Sequence, residues 1–289
     1  MLNKKRLFVI GILIIIGILI IVLTNIYEDK LILREKNIEL ENKYSPFQKT
    51  SNFKQENKER YVAFYEKNKD LSYEDVVTYV NIGLDRDFYS YIENADTKKD
   101  ILILVNKYQK LSSDYEPNDL EEINSKYFIN GNSNVRMLRK EAKENFEKLS
   151  EASIKNNTPV YGQSAYRSYQ SQESLYNNAV NTSGKEIADN DTARPGHSEH
   201  QTGLTIDVSS TKNGNMLTFV NTPSYDWMIV NAHKYGFILR YPEGKENIHG
   251  FINEPWHYRY VGVETATDMH DNHSNLTFDE YYYKYIDNK

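Results

Sequence analysis

The feature that most constrains this chain is an apolar run near its N-terminus. The run extends from Leu7 to Leu23, is interrupted only by two glycines, and follows the basic residues Lys4 to Arg6. About 17 to 20 such residues span a bilayer as a helix. No small-residue cleavage site follows the run, so we predict an uncleaved signal anchor, with a cleaved signal peptide as the alternative. The basic residues place the N-terminus in the cytoplasm and the rest of the chain outside.

A polar segment separates this anchor from the remainder of the chain. Residues 28–70 are rich in Lys, Glu and Asn and contain few apolar residues. This composition is typical of a stalk, partly helical, that carries a domain away from a membrane. From residue 71 onward the chain is long enough for one hydrophobic core. We therefore expect an anchor over residues 1–27, a stalk over 28–70 and a single domain over 71–289.

Charge and cysteine content exclude several classes of protein. The net charge is −6 and no basic face dominates, which argues against a nucleic-acid partner. The chain has no cysteine, so a disulfide scaffold, a thiolate metal site and a cysteine nucleophile are excluded. A G-x-S-x-G elbow, a Walker loop and a G-x-G-x-x-G loop are also absent from the sequence. Serine-hydrolase and nucleotide-dependent chemistry are therefore disfavoured.

Hydrophobic periodicity predicts an α+β domain with helices packed on a small, mainly antiparallel sheet. Apolar spacing and stop signals predict helices over 133–154, 171–180 and 226–235, and one that begins near 263. β-branched and aromatic runs predict strands over 160–168, 204–208, 237–240 and 256–261. Residues 101–106 fit a strand or a buried segment, and residues 181–191 read as a flexible loop.

Three separated residues form a candidate metal site. His200 precedes Asp207 by seven positions, and His257 follows about fifty residues later. Two imidazoles and one carboxylate form a ligand set of catalytic zinc sites, which leave one position for water. Alternation along Leu204–Val208 places Asp207 on one face of a strand, just after the turn that carries His200. We therefore predict a zinc cleft at the edge of the sheet.

Glu254 is the candidate general base for such a site. It lies three residues before His257, and Pro255 between them indicates that the strand begins only afterwards. Glu254 would then lie on a loop, free to turn toward the metal and take a proton from water. Taken alone, this loose spacing is a weak signal, because a lone His or Asp is more often structural.

Three sequence motifs, which follow one another in a fixed order, carry a resemblance to a known family. They are Ser164–Gln172 (SAYRSYQSQ), Ala193–Asp207 (ARPGHSEHQTGLTID) and Glu254–Gly262 (EPWHYRYVG). Together they resemble the VanY-type D-alanyl-D-alanine carboxypeptidases, zinc peptidases of peptidoglycan that include LdcB-like L,D-carboxypeptidases. The resemblance covers roughly residues 71 to 280. Two positions depart from it, since Ala165 stands where a glycine is usual and His249 where a small hydroxyl residue is usual.

The resemblance implies roles for individual residues. His200, Asp207 and His257 would bind zinc and Glu254 would be the base. Arg167 would either pair with the terminal carboxylate of the substrate or stabilise the oxyanion, and the sequence leaves both roles open. Substrate contacts are expected from three further residues, Gln172, Ser198 and Trp256. We interpret His197 and His249 as solvent-exposed histidines near this site, with a hydrogen-bonding partner of a metal ligand as the alternative.

The expected function is removal of terminal D-Ala from peptidoglycan stem peptides by a monomeric enzyme in a bacterial-type cell membrane. The chain would cross the membrane once, with its catalytic domain on the extracytoplasmic side. An L,D-carboxypeptidase acting on tetrapeptide stems is one alternative. A peptidoglycan-binding module without catalysis is another, which the complete set of ligands and base disfavours.

Overall fold

The computed structural model describes residues 4–129 and 135–287. The chain divides into two compact units, Met1–Val77 and Thr78–Lys289. The division follows the pattern of the sequence, because the apolar run and the polar segment fall in the first unit and all three motifs fall in the second.

The first unit is helical. It contains α1 (Lys4–Gln48), α2 (Lys58–Lys67) and the beginning of α3 (Tyr73–Ile82). Within the described residues, α1 is the helix long and apolar enough to cross a membrane, and it continues without a break into the polar segment. At its C-terminal end Phe47 is buried, and its ring packs 5.9 Å from that of Tyr61. This aromatic contact ties the end of α1 to α2.

The second unit contains short strands and helices in a mixed order. They are β1 (Glu93–Asn94), β2 (Gln109–Lys110), β3 (Leu120–Glu122), β4 (Met137–Arg139), α4 (Lys140–Lys155), β5 (Tyr161–Ser164), α5 (Tyr169–Ser183), α6 (Lys185–Asp191), β6 (Thr205–Ser209), α7 (Pro223–Asn231), β7 (Phe237–Leu239), α8 (Glu246–His249), β8 (His257–Tyr260), α9 (Val263–Asn272) and α10 (Phe278–Tyr281).

The main sheet has the strand order β5-β6-β8-β7, and every neighbouring pair is antiparallel. Strand β6 is central and fully buried, as its β-branched sequence TIDVS predicts. Two smaller two-stranded sheets accompany it, β1-β2 and β3-β4. The α+β class with a small, mainly antiparallel sheet is therefore confirmed.

The hydrophobic core lies between the main sheet and the helices that cover it. Ile206 and Tyr258 from the sheet meet Phe146 and Leu149 of α4 in one buried cluster. These α4 residues recur at three-residue spacing, so they lie on one face of the helix. The core thus holds β6 and β8 in place, and these two strands carry the candidate ligands Asp207 and His257.

Helix α4 begins later than the sequence predicts. We expected a helix from residue 133, but Met137–Arg139 form strand β4, paired antiparallel with β3, and the helix begins at Lys140. Residues 133 and 134 lie outside the described residues. Leu138 is buried in strand β4. A buried leucine at this position also fits the apolar spacing of a helix, and for this reason the predicted helix began too early.

The predicted flexible loop over residues 181–191 is wrong. Helix α5 extends to Ser183, Gly184 follows with a positive φ of 82°, and α6 occupies Lys185–Asp191. Tyr176 of α5 donates a hydrogen bond of 2.7 Å to Asp189 of α6, which joins the two helices. The polar composition of this segment therefore reflects two half-exposed helices rather than a loop.

Candidate metal centre

The three predicted ligands come together because two of them are paired directly across the sheet. Asp207 on β6 lies opposite His257 on β8, and opposed residues in antiparallel strands bring their side chains within about 5 Å. His200 lies in a short 3-10 turn, Glu199–Thr202, that leads into β6. Gly203 ends this turn with φ of 66°, a left-handed conformation that favours glycine.

The ligand atoms of these residues converge in a buried pocket. His200 Nε2 lies 3.3 Å from Asp207 Oδ2, and His257 Nδ1 lies 3.2 Å from Asp207 Oδ1. The two imidazole rings are nearly perpendicular, with an interplanar angle of 88° and centroids 5.1 Å apart. All three residues are buried. Perpendicular rings allow both nitrogen lone pairs to point at one position, as a tetrahedral metal site requires.

Hydrogen bonding fixes which nitrogen of His200 can bind a metal. Its Nδ1 donates to the carbonyl oxygen of Ala165 at 2.6 Å, so the proton lies on Nδ1 and the Nε2 lone pair is free. Asp207 Oδ1 is buried and has no hydrogen-bond partner among the described residues. A buried acceptor without a partner is costly, and a cation would satisfy it.

The electrostatics of the pocket favour a positive charge. Burial lowers the pKa of His257, but the carboxylates of Asp207 and Glu199 outweigh burial and raise it to about 9. Burial also raises the pKa of Asp207, and His200 and His257 outweigh it and hold that pKa well below its usual range. The residues present therefore fit a divalent metal ion such as zinc.

A second group of potential ligands lies elsewhere in the same unit, in residues His233, His270 and Asp271. The two imidazole rings are stacked nearly in parallel, with an interplanar angle of 18° and centroids 3.7 Å apart. Nitrogen lone pairs lie in the ring planes, so two parallel rings cannot both point at one ion. His270 and Asp271 are also exposed. The buried group is the better candidate for the metal.

Glu254 lies beside the candidate metal ligands on an irregular segment, as predicted from Pro255. Its Oε2 is 3.3 Å from His257 Nδ1, and its side chain is only 14% exposed. Burial raises the pKa of Glu254 to about 7, and Asp207 adds to this rise while His257 and Arg167 oppose it. A carboxylate with such a pKa can both take and return a proton near neutral pH.

Arg167 lies in the same cleft but not on a strand, because β5 ends at Ser164 whereas the sequence predicted a strand over 160–168. Its Nη1 donates to Gln172 Oε1 at 2.9 Å and its Nη2 donates to Ser164 Oγ at 3.0 Å. Its backbone N–H donates to the carbonyl oxygen of His200 at 3.2 Å. The guanidinium is thus held in one orientation, and Asp207 and Glu254 both interact with its charge.

The cleft has a volume of about 250 Å³. Ser198 and Trp256, which the sequence predicts as substrate contacts, both line it. Gln172 is buried behind Arg167 and is not among the lining residues described; its Nε2 donates to the carbonyl oxygen of Ala193 at 2.7 Å. Gln172 therefore lies where it orients Arg167.

Several lining residues were not predicted from the sequence, among them Asp191, Glu199 and Tyr241. Tyr241 is buried with its ring centroid 4.8 Å from that of His257. Tyr241 lies two residues after strand β7, which pairs with β8. A predicted pairing of these two strands would therefore have placed Tyr241 near His257. Asp191 ends α6 at the exposed rim of the cleft, in the segment that we expected to be a loop.

The prediction that His197 and His249 are exposed is wrong, since both are buried. His197 Nδ1 lies 2.7 Å from the carbonyl oxygen of Asn106. The backbone N–H of Phe251 donates to His249 Nδ1 at 3.2 Å. Burial lowers the pKa of each to about 4, and Arg240 adds to the effect at His249. Both histidines are therefore neutral structural groups at physiological pH.

This burial predicts a loss of stability in acid. With a pKa of about 4 in the folded protein and about 6.5 when unfolded, His249 takes up a proton on unfolding between these values. Stability therefore falls as the pH falls from about 6.5 to about 4 and levels off below. We expect H249Q to reduce this slope by up to about 1.4 kcal/mol per pH unit. Denaturant unfolding of both metal-free proteins at several pH values measures the difference, and equal slopes would contradict it.

Comparison with known proteins gives a consistent result. A family model described as VanY, D-alanyl-D-alanine carboxypeptidase, matches residues 135–263, which include every candidate site residue predicted from the sequence. The putative carboxypeptidase YodJ of Bacillus subtilis is 40% identical over 195 residues, covering 67% of this chain and 71% of that protein. A D-alanyl-D-alanine carboxypeptidase of Enterococcus faecalis is 32% identical over 198 residues, covering 65% and 68%.

Solved structures show the same relationship. The LdcB LD-carboxypeptidase has a TM-score of 0.62 and 39% identity, covering 68% of this chain and 91% of that one. VanYB in complex with D-alanine-D-alanine has a TM-score of 0.52 and 31% identity, covering 62% and 96%. A VanY D,D-pentapeptidase variant in complex with Zn(II) has a TM-score of 0.52 and 32% identity, covering 62% and 97%.

Proposed function

The chain belongs to the VanY family of D-alanyl-D-alanine carboxypeptidases, and we propose that it is a membrane-anchored zinc enzyme that removes the terminal D-Ala from peptidoglycan stem peptides. Zinc would be held by His200, Asp207 and His257. The zinc-bound VanY relative supports this choice of metal, as does the donor set of two imidazoles and a carboxylate.

One observation supports the proposal most strongly, the presence of Arg167 in the same cleft as the metal ligands. A carboxypeptidase must bind a free terminal carboxylate close to the bond that it cuts. Arg167 uses one N–H of each terminal nitrogen for Gln172 and Ser164. A guanidinium has five N–H groups, so donors remain for a paired contact with the carboxylate. We therefore favour carboxylate binding over oxyanion stabilisation as the role of Arg167.

In the proposed mechanism Glu254 moves the protons. Its carboxylate takes a proton from the attacking water and returns it to the leaving amine of D-Ala. Zinc, when held by His200, Asp207 and His257, would supply Lewis acidity for the scissile carbonyl and would make the attacking water more acidic. Ser198 and Trp256 line the cleft and would contact the substrate, while Gln172 would keep Arg167 directed at the carboxylate.

An L,D-carboxypeptidase is the second candidate function. The specific observation in its favour is the LdcB LD-carboxypeptidase, which exceeds VanYB in both TM-score and identity to this chain. Both activities release D-Ala from a free C-terminus, so they share the role of Arg167. They differ in the residue that donates the scissile carbonyl, which is D-Ala in the pentapeptide and an L-residue in the tetrapeptide.

We further propose that α1 anchors the enzyme in a bacterial-type cell membrane as a single span. The basic residues before the apolar run would remain cytoplasmic, which leaves the second unit on the extracytoplasmic side with its peptidoglycan substrate. We expect the enzyme to act as a monomer.

A panel of stem peptides tests the function and separates the candidates. The detergent-solubilised chain is incubated with pentapeptide, tetrapeptide and C-terminally amidated pentapeptide, each with and without chelator, and the products are identified by mass. Loss of one alanine from the pentapeptide supports the D,D activity, and loss from the tetrapeptide alone supports the L,D activity. In either case chelator abolishes the loss and the amidated peptide resists, because it lacks the charge that Arg167 would bind.

Two outcomes would count against the proposal. Equal cleavage of the free and amidated pentapeptides would remove the proposed role of Arg167 and point to an endopeptidase. No cleavage by a zinc-loaded protein that still binds the peptides would favour a binding module instead.

A further inference from the structure

A fully buried group of charged residues lies behind the metal ligands. Glu199, Arg240, Arg259 and Asp279 are each at most 1% exposed. Glu199 Oε1 accepts hydrogen bonds of 2.8 Å from Arg240 Nε and from Arg259 Nη1. Arg240 Nη1 donates at 2.6 Å to Asp279 Oδ2. Buried charges are costly unless they are paired, and here two arginines balance two carboxylates.

The second oxygen of Glu199 faces a metal ligand. Glu199 Oε2 lies 3.7 Å from His257 Nε2, an ion-pair distance longer than a hydrogen bond, and this buried nitrogen has no hydrogen-bond partner among the described residues. On the other side of the same ring, His257 Nδ1 lies 3.2 Å from Asp207 and 3.3 Å from Glu254. One nitrogen of His257 therefore faces the other metal ligands and the base, while the opposite nitrogen faces Glu199.

We propose that Glu199 is a positioning residue for zinc binding. Its carboxylate attracts the proton of His257 to Nε2, so that the Nδ1 lone pair is presented to the metal. Metal-binding histidines commonly direct their other N–H at a carboxylate or carbonyl, which fixes the tautomer and the ring orientation. In His200, the hydrogen bond from Nδ1 to the carbonyl oxygen of Ala165 fixes the tautomer in the same way. This inference rests on the zinc site proposed above.

The two arginines make Glu199 suitable for this role. A carboxylate beside a histidine could rotate or move away, but Glu199 Oε1 is held by Arg240 from the segment after β7 and by Arg259 from β8. The contact with Arg259 also ties Glu199 to the strand that carries His257 itself. The position of Oε2 is therefore set by the sheet.

A purely structural ion cluster is the competing explanation, and Asp279 offers a matched control. Asp279 pairs with Arg240 and accepts a hydrogen bond of 2.8 Å from Asn106 Nδ2. It lies on α10, outside the residues matched by the family model. E199Q and D279N each remove one negative charge from the same buried group, and only Glu199 faces His257.

The experiment compares the zinc dissociation constants of the full chain and its E199Q and D279N variants in detergent, by competition with a chelator. We expect E199Q to weaken zinc binding by about 10- to 100-fold. D279N should bind zinc as the wild type does, although both variants lower the Tm. Wild-type affinity in E199Q, or an equal loss in D279N, would overturn the proposal in favour of a structural cluster. If the wild type itself binds no zinc, the proposed function fails first.

A measurement on the wild type keeps the test independent of variant folding. Imidazole nitrogen NMR of the zinc-loaded protein, selectively labelled at histidine, distinguishes a protonated from a metal-bound ring nitrogen. We expect His257 to carry its proton on Nε2 and to bind zinc through Nδ1. Zinc bound through Nε2 would overturn the proposal whatever the variants do.

Discussion

Replacement of Glu254 by glutamine is expected to lower kcat for D-Ala release by about 10²- to 10⁴-fold, the range for loss of a general acid–base group. Glutamine keeps the size of the side chain and cannot accept a proton from water. Zinc should remain bound, because the proposed ligands are His200, Asp207 and His257. Steady-state kinetics on the preferred stem peptide and the zinc content of the purified variant measure the two effects separately.

The combination of these two readouts decides the role of Glu254. Loss of zinc together with activity would show that Glu254 is a ligand, a possibility that its distance of 3.3 Å from His257 makes worth testing. Full activity with zinc bound would show that another group acts as the base. Trp256→Phe is a suitable comparison, since it changes the neighbouring wall of the cleft without touching a proton-carrying group.

Replacement of His257 by alanine is expected to abolish both zinc binding and turnover. Removal of one of three ligands leaves two, and the substitution also removes the ring that separates Asp207 from Glu199. Zinc content per chain and residual activity on the stem peptide give the result.

His233→Ala is the matched control for this experiment, because it removes a histidine from the stacked pair outside the cleft. The control should keep zinc and activity at wild-type levels. Loss of zinc in the His233 variant, with retention in the His257 variant, would move the metal to the other group of ligands and refute the assignment.

The sequence predicted those parts of the site that depend on local structure. Gly203 and the alternation after it indicated a turn followed by a strand, and Pro255 indicated a loop before the next strand. These signals were enough to predict that His200, Asp207 and Glu254 approach one point. The helix predicted over 226–235 is α7, which ends at Asn231, followed by a 3-10 segment, Ala232–Tyr235, that ends at Gly236 with φ of 80°.

Parts of the site that depend on distant contacts could not be predicted in this way. Glu199 stands next to a ligand, yet its importance appears only when Arg240, Arg259 and Asp279 arrive from separate elements. His197 likewise finds its hydrogen-bond partner in the carbonyl of Asn106, far away in the sequence. Helix α4 was extended too far because the pairing of β4 with β3 has no local signal.

The paired backbone contacts between the Arg167 segment and the His200 turn have a consequence for product size. The carbonyl of Ala165 accepts from the His200 ring, and the Arg167 N–H donates to the His200 carbonyl. The proposed carboxylate-binding group and a proposed metal ligand therefore belong to one hydrogen-bonded frame, and the distance between them does not depend on the substrate. A frame of fixed length would place the scissile bond at a constant distance from the C-terminus, so we expect one leaving product and not a mixture of alanine and dipeptide.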